Sequence, residues 1–400
     1  MEKAINIAAA TELLSRLVAC PSVNPAGAAA SGPPLGEEAM ADLLTSILWP
    51  WGADTHKVEI APGRFNFIAR FVGAGPRTLL LEAHADTVSA DGMTVVPFEP
   101  VVRDGRLYGR GSCDTKGPMA AMLLAIRSAI GGGGARLPAT LCFVSTADEE
   151  IGATGAKRLA ADGFRAEAAV IGEPTDLAII RAHKGASRLR ITTRGRAAHS
   201  SDPSRGASAI ARMARVVEAI EGPLAERLAA RRHAALGPPT VSVGTIRGGT
   251  QVNVVPDRCE IGVDRRTLPG ETSEGILAEF REILDGLRAS DPRLEYEIAE
   301  SQWWPAFEED PHGPVASLVA SAARKVLGRA EVRGAPWTSN AGILRAAGIP
   351  CVLFGPGSAR QAHTADEHIE LEQVVQAARV YEEIIRGFAA NEGPASVANV

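Results

Sequence analysis

Two histidines and several carboxylates stand in five short clusters along this chain. They are His84-Ala85-Asp86, the stretch Gly109 to Gly117 (GRGSCDTKG), Asp148-Glu149-Glu150, Gly172-Glu173-Pro174-Thr175, and His363-Thr364-Ala365-Asp366-Glu367. Imidazole together with carboxylate suits a borderline cation such as Zn²⁺, whereas carboxylates alone suit Mg²⁺ or Ca²⁺. The adjacent Glu149 and Glu150 add a second role, because one can ligate a cation while its neighbour, aimed elsewhere, handles protons. Two buried carboxylates side by side need a cation or a pKa shift to compensate them. Taken singly, each cluster has an ordinary reading: a turn, a solvated loop, or a helix start carrying acids in its first turn. Their order and their placement directly after strands argue for one site.

The elements that must position them follow from periodicity. A helical stripe at Leu13, Leu14, Leu17 and Val18 ends at the Pro21/Pro25 turn, and 26–36 reads as an Ala/Gly/Pro loop. Short buried strands are expected at 77–83 and 139–146, each followed at once by polar residues, with a helix at 118–130 opened by Pro118 and a glycine break at 131–134. In open α/β sheets, sites lie beyond the carboxyl ends of strands. The rhythm then changes to strand 188–194, helix 206–220, strands 240–246 and 258–264, a helix striped by Ile276, Phe280, Ile283 and Leu287, and strand 294–299. That order is βαββαβ, a ferredoxin-like unit. An α/β pattern resumes with helix 315–327, strand 350–354 and helix 371–388. The expected fold is therefore α/β. Residues 1–186 and 299–400 form a catalytic domain with a mixed sheet flanked by helices, and 187–298 form an inserted ferredoxin-like domain.

Composition narrows the function class. Four hundred residues exceed one usual core, 46% apolar and 22% charged residues are ordinary for a globular enzyme, and a net charge of −5 gives no global attraction to nucleic acid or acidic membranes. Five cysteines occur singly, with no CxxC pair, as in a reduced, cytoplasmic protein. Glu2 and Lys3 open a terminus without an apolar h-region, and no run of 18 apolar residues follows, so neither secretion nor a membrane is expected.

With Ser22-Val23-Asn24-Pro25 and all five clusters in order, essentially the whole chain resembles the family of acetylornithine deacetylase, succinyl-diaminopimelate desuccinylase, aminoacylase and the glutamate-releasing carboxypeptidases. The resemblance implies a two-zinc hydrolase of linear amides, with Co²⁺ or Mn²⁺ as other occupants. In it, Asp114 would bridge the ions, His84 and Glu173 would complete one, and Glu150 and His363 the other. Asp86 would orient His84, and Glu149 would be the general base toward the activated water. It also implies a cis peptide at Asp114–Thr115 and makes the inserted domain a lid and dimerisation domain. There His199, in GRAAHSS, matches a histidine that stabilises the oxyanion in the partner subunit's site. Arg266 matches an arginine that grips a substrate carboxylate, with Arg265 as the register alternative, since strand alternation lets one of the two face the site. Asn253, in NVVPD, is a further substrate contact. Asn340 stands where relatives often carry aspartate, which leaves the metal ligands intact and the pocket's charge preference open. The expected substrate is a small N-acyl amino acid; a short peptide cleaved by a metallocarboxypeptidase or dipeptidase of the same family is the alternative. A catalytically silent metal- or amino-acid-binding protein is the remote one, and the expected assembly is a homodimer.

Overall fold

The computed structural model describes residues 4–27, 35–131 and 137–388; Glu2, Lys3, most of the Ala/Gly/Pro loop and the centre of the glycine break lie outside them. The chain divides into two compact units. The first comprises Met1–Arg181, Glu309–Arg333 and Ile343–Val400, and the second comprises Ala182–Glu308 and Gly334–Gly342.

The first unit is built on a mixed sheet. Thr78–Glu82 lies parallel to both Thr140–Ser145 and Ala168–Ile171, and Cys351–Leu353 runs parallel to Ala168–Ile171 on its far side. Antiparallel neighbours flank this centre: the hairpin Asp54–Ala61/Arg64–Phe71 joins Thr140–Ser145, and Ile179–His183 joins Cys351–Leu353. Thr140–Ser145 is buried at all six positions, the pattern of a strand covered on both faces. Helices Ile7–Val18, Lys116–Ile130, Pro314–Leu327 and Leu371–Gly387 contribute Leu13, Leu17, Met119, Leu123, Val319, Val374 and Ile384 to one contiguous core. Each such side chain, fully buried, stabilises the fold by about 1.5–3 kcal/mol before ordering costs.

Backbone pairing runs on past the strand ends. Ala83 N–H donates to Val144 O at 3.1 Å and Ala85 N–H to Thr146 O at 2.7 Å. The extended alternation therefore persists long enough to place His84 and Asp86 on one side of the loop. The hairpin 54–71 escapes sequence reading because its outer strand is exposed or half-exposed at every position, so no apolar alternation marks it.

The second unit carries a four-stranded antiparallel sheet in the order Thr240–Gly248, Arg258–Thr267, Gly185–Arg194, Glu295–Trp304. Two helices, Ala209–Ala219 and Ser273–Ser290, supply Met213, Val216, Phe280 and Leu284 to a core with Ile191, Ile261 and Val263. This is the ferredoxin-like arrangement of a βαββαβ chain. The first helix starts later than the stripe suggests, because Ser208 caps it by accepting from Ala211 N–H at 3.1 Å. It continues into a π turn at Ile220–Leu224, where Pro223 lacks the donor an α-helix needs. Among the described residues no helix is long and apolar enough to cross a membrane.

Candidate metal centre

The loops that follow the central strands of the first unit bring the acidic and imidazole groups together. His84 Nε2 lies 3.1 Å from Asp114 Oδ1, and His363 Nε2 lies 3.3 Å from Asp114 Oδ2 and 3.0 Å from Glu150 Oε2. Ligand atoms of His84, Asp114 and Glu150 fall within 4.8 Å of one another. Glu150 Oε1 is buried with no hydrogen-bond partner among the described residues. A buried carboxylate oxygen left open beside two imidazoles and a second carboxylate is the donor set a divalent cation fits. Glu173 is buried at the end of Ala168–Ile171 and shares the electrostatic field of Glu149, Asp114 and His84.

The charge balance points the same way. Burial pushes the Glu149 and Glu173 carboxyls well above the usual range, and surrounding carboxylates add to the push. Burial and Asp114 raise Glu150 to about 7. Asp114 goes down despite its burial, because His363 and His84 both hydrogen-bond to it. His363 is raised to about 10 by its bonds to Asp114 and Glu150. Too many acids for the available cations is a deficit that bound metal removes.

Asp86 does more than the sequence suggested. His84 Nδ1–H is taken by the backbone carbonyl of Asp86 at 2.9 Å, while the Asp86 carboxylate stands 3.6 Å from that nitrogen. The carboxylate instead accepts the backbone N–H of Glu149 at 2.9 Å and of Glu150 at 3.2 Å. The Asp114–Thr115 peptide is cis.

Several supporting residues were missed in the sequence. Glu367, which closes the His363–Glu367 cluster and has no separate role in the sequence reading, is buried and accepts from Arg110 Nη1 (2.7 Å) and from the backbone N–H of Gly111 (2.9 Å), Cys113 (2.9 Å) and Asp114 (3.0 Å). It shapes the loop that presents Asp114. Arg64 joins Glu37 through Nε at 2.6 Å and Nη2 at 2.5 Å, and reaches Asp148 at 3.4 Å. Both Asp148 and His363 hold left-handed backbone, with φ of 65° and 63°, a conformation that clusters at functional sites. Beside Asp148, an added Cβ at Gly152 would meet its Oδ2 at 2.4 Å.

The residues singled out in the second unit lie in that unit's own surroundings. Arg265 is fully buried against Glu271 at 2.6 Å and Glu279 at 3.5 Å, committed to packing. Arg266, on the opposite face of the strand, gives its Nε to Asp264 at 2.8 Å. His199 is exposed, and its Nδ1 accepts the backbone N–H of Ser201 at 3.1 Å. Asn253 is exposed, and its carbonyl accepts from Ser200 N–H at 3.0 Å. Ser339 and Asn340 are buried.

The chain matches the peptidase family M20/M25/M40 over residues 80–387. It belongs to that family. Among its relatives, the acetylornithine deacetylase of Myxococcus xanthus is 34% identical over 79% of this chain and 81% of its own. That of Proteus mirabilis (strain HI4320) is 33% identical over 95% and 97%. An M20 family metallo-carboxypeptidase of Sulfolobus solfataricus, 18% identical, shares the fold with a TM-score of 0.79 over 96% of this chain and 99% of its own. Like its family, this M20 protein is a hydrolytic enzyme acting on amides.

Proposed function

We propose that this M20 enzyme removes the acyl group from an N-acyl amino acid, as the naming of its deacetylase relatives suggests, and that two zinc ions assist it. The observation that carries the reading is Asp114 between His84 and His363, one carboxylate oxygen toward each. That is the shape a bridging ligand needs. His84 and Glu173 would complete one ion and Glu150 and His363 the other; Co²⁺ or Mn²⁺ accepts the same donors. When bound, such ions supply Lewis-acid polarisation of a carbonyl and an acidified water.

The remaining work falls to the chain. Glu149 takes the proton of the attacking water and delivers it to the leaving nitrogen, and its position is held through its backbone N–H on Asp86. Asp86 also fixes His84 through its carbonyl, which turns Nε2 toward Asp114. In His199, an Nδ1 that accepts from Ser201 puts the proton of the neutral ring on Nε2, ready to donate to an oxyanion. By the family resemblance that oxyanion lies in a second copy's site, so the active assembly is a homodimer. Arg266 offers its Nη groups to the substrate carboxylate, and Asn253 offers an amide. The cysteines at 20, 113, 142, 259 and 351 form no disulfide among the described residues, as expected of a cytoplasmic enzyme.

The test is to strip the protein with chelator, return zinc, and assay N-acetyl amino acids, N-succinyl amino acids and dipeptides in parallel. Deacylation exceeding dipeptide cleavage by about tenfold or more in kcat/KM is expected. Preferential dipeptide cleavage would move the enzyme to the peptidase branch, and no hydrolysis of any of the three would favour a silent binding protein.

A further inference from the structure

The Ser22-Val23-Asn24-Pro25 motif lies apart in sequence from every metal-ligand candidate, yet it runs along the loop that carries His84. Asn24 N–H donates to Thr87 O at 2.9 Å, Thr87 N–H to Ser22 O at 3.0 Å, and Ser22 Oγ to Ala85 O at 2.7 Å. The Asn24 side chain is 1% exposed. Its Oδ1 accepts from Ala26 N–H at 3.1 Å, which fixes the orientation of the amide and turns Nδ2 the other way. There the two N–H groups meet two buried carboxylates: Asp86 Oδ2 at 2.8 Å and Asp148 Oδ1 at 2.9 Å.

We infer that Asn24 is a positioning residue whose amide ties Asp86 to Asp148 and so sets where Glu149 and Glu150 stand relative to His84. The inference rests on the metal-centre reading above. Asp86 belongs to the His84 loop and holds the backbone N–H of both glutamates. Asp148 begins the glutamate loop, with its Oδ2 bonded to Thr154 Oγ1 at 2.7 Å. Two carboxylates facing each other in a dry interior repel unless a donor stands between them. An amide is the one neutral group that can offer an N–H to each while accepting a backbone N–H with its oxygen. Asparagine meets that requirement; aspartate has the same shape and would add a third acceptor. Behind Asp148, Arg64 and Glu37 close the network, with Glu37 Oε1 accepting Asp148 N–H at 3.3 Å. Asn24 thus holds together, from outside, the two loops that supply opposite sides of the centre.

The experiment compares full-length wild type with Asn24→Asp and Asn24→Ala. Zinc affinity is read by competition with a chromophoric chelator, kcat and KM on an N-acyl amino acid, and cooperative unfolding by circular dichroism. Asn24→Asp preserves shape and the acceptor for Ala26; Asn24→Ala removes the donors without adding charge. Loss of groups that orient metal ligands costs about 10–100-fold in affinity or activity. That loss is expected in zinc affinity and in kcat for both variants, larger for Asn24→Asp, with KM within about threefold of wild type. Both variants within about twofold of wild type in affinity and kcat would overturn the inference. So would a loss confined to Asn24→Ala, which would make the role one of packing, and so would failure of both variants to unfold cooperatively. Weaker zinc binding by the variants of a protein whose wild type hydrolyses no N-acyl amino acid would sustain the positioning role and remove the deacylase reading instead.

Discussion

Glu367 accepts the backbone N–H of Asp114 at 3.0 Å from beneath the loop. The same carboxylate pairs with Arg110, side-chain exposures being 1% and 3%, so the candidate bridging ligand rests on a buried ion pair. Glu367→Gln removes the charge but preserves the size. Breaking a buried pair by removing one partner costs about 3–5 kcal/mol. The expected outcome is a fall of that order in the denaturant-derived stability, together with weaker zinc binding. Unchanged stability and unchanged zinc affinity would show that the loop holds itself.

Glu149 and Glu150 are neighbours with different expected roles. Glu149→Gln should retain metal while kcat falls about 10²–10⁴-fold, the span of general-base contributions. Glu150→Ala should lose or weaken one metal. Metal analysis beside steady-state kinetics separates them, and identical behaviour of the two variants would refute the division of labour.

These sites were legible in the sequence to differing degrees, for physical reasons. His84, Asp114, Glu150 and His363 follow strands or sit in short polar clusters, and periodicity finds the strands. The alternation rule correctly limited Arg265 and Arg266 to opposite faces, but which one is buried depends on Glu271 and Glu279 reaching it. Glu367 and Asn24 act on segments far away in the chain, through hydrogen bonds that leave no local pattern. Arg64 opens the inner strand of a hairpin whose exposed outer strand hides it from hydropathy, and its partner Glu37 stands 27 residues earlier, just before the helix Glu38–Leu48.

His183 gives a pH dependence that is independent of the metal centre. Burial pushes its pKa down to about 4; its Nδ1 bonds to Lys184 O at 2.9 Å, its ring packs on Phe307, and its Nε2 has no partner among the described residues. The unfolded chain takes up the proton near the ordinary value of about 6.5, so protonation favours unfolding. The stability contributed by the neutral ring is complete above that value and is lost as pH falls toward 4. Between about pH 7 and pH 5 the wild type should lose on the order of 2 kcal/mol that His183→Gln, with no titrating ring, does not lose. Urea unfolding at both pH values measures it, and parallel losses in the two proteins would contradict the assignment.

The placement of His199 predicts complementation between subunits. Glu149→Gln mixed with His199→Ala should recover about a quarter of wild-type activity after random subunit exchange, because half the dimers then contain one complete site. Exchange shown by mass spectrometry without recovery would mean that His199 acts in its own subunit or not at all. Full activity from a monomer would contradict the homodimer as well.

The central claim is that Asp114 joins two divalent cations between His84 and His363. Anomalous diffraction at the zinc edge from crystals grown with zinc tests it most directly. The account predicts two peaks about 3.5 Å apart, one on each side of the Asp114 carboxylate. Zinc bound elsewhere, or an Asp114 side chain turned away from both histidines with zinc supplied, would contradict it.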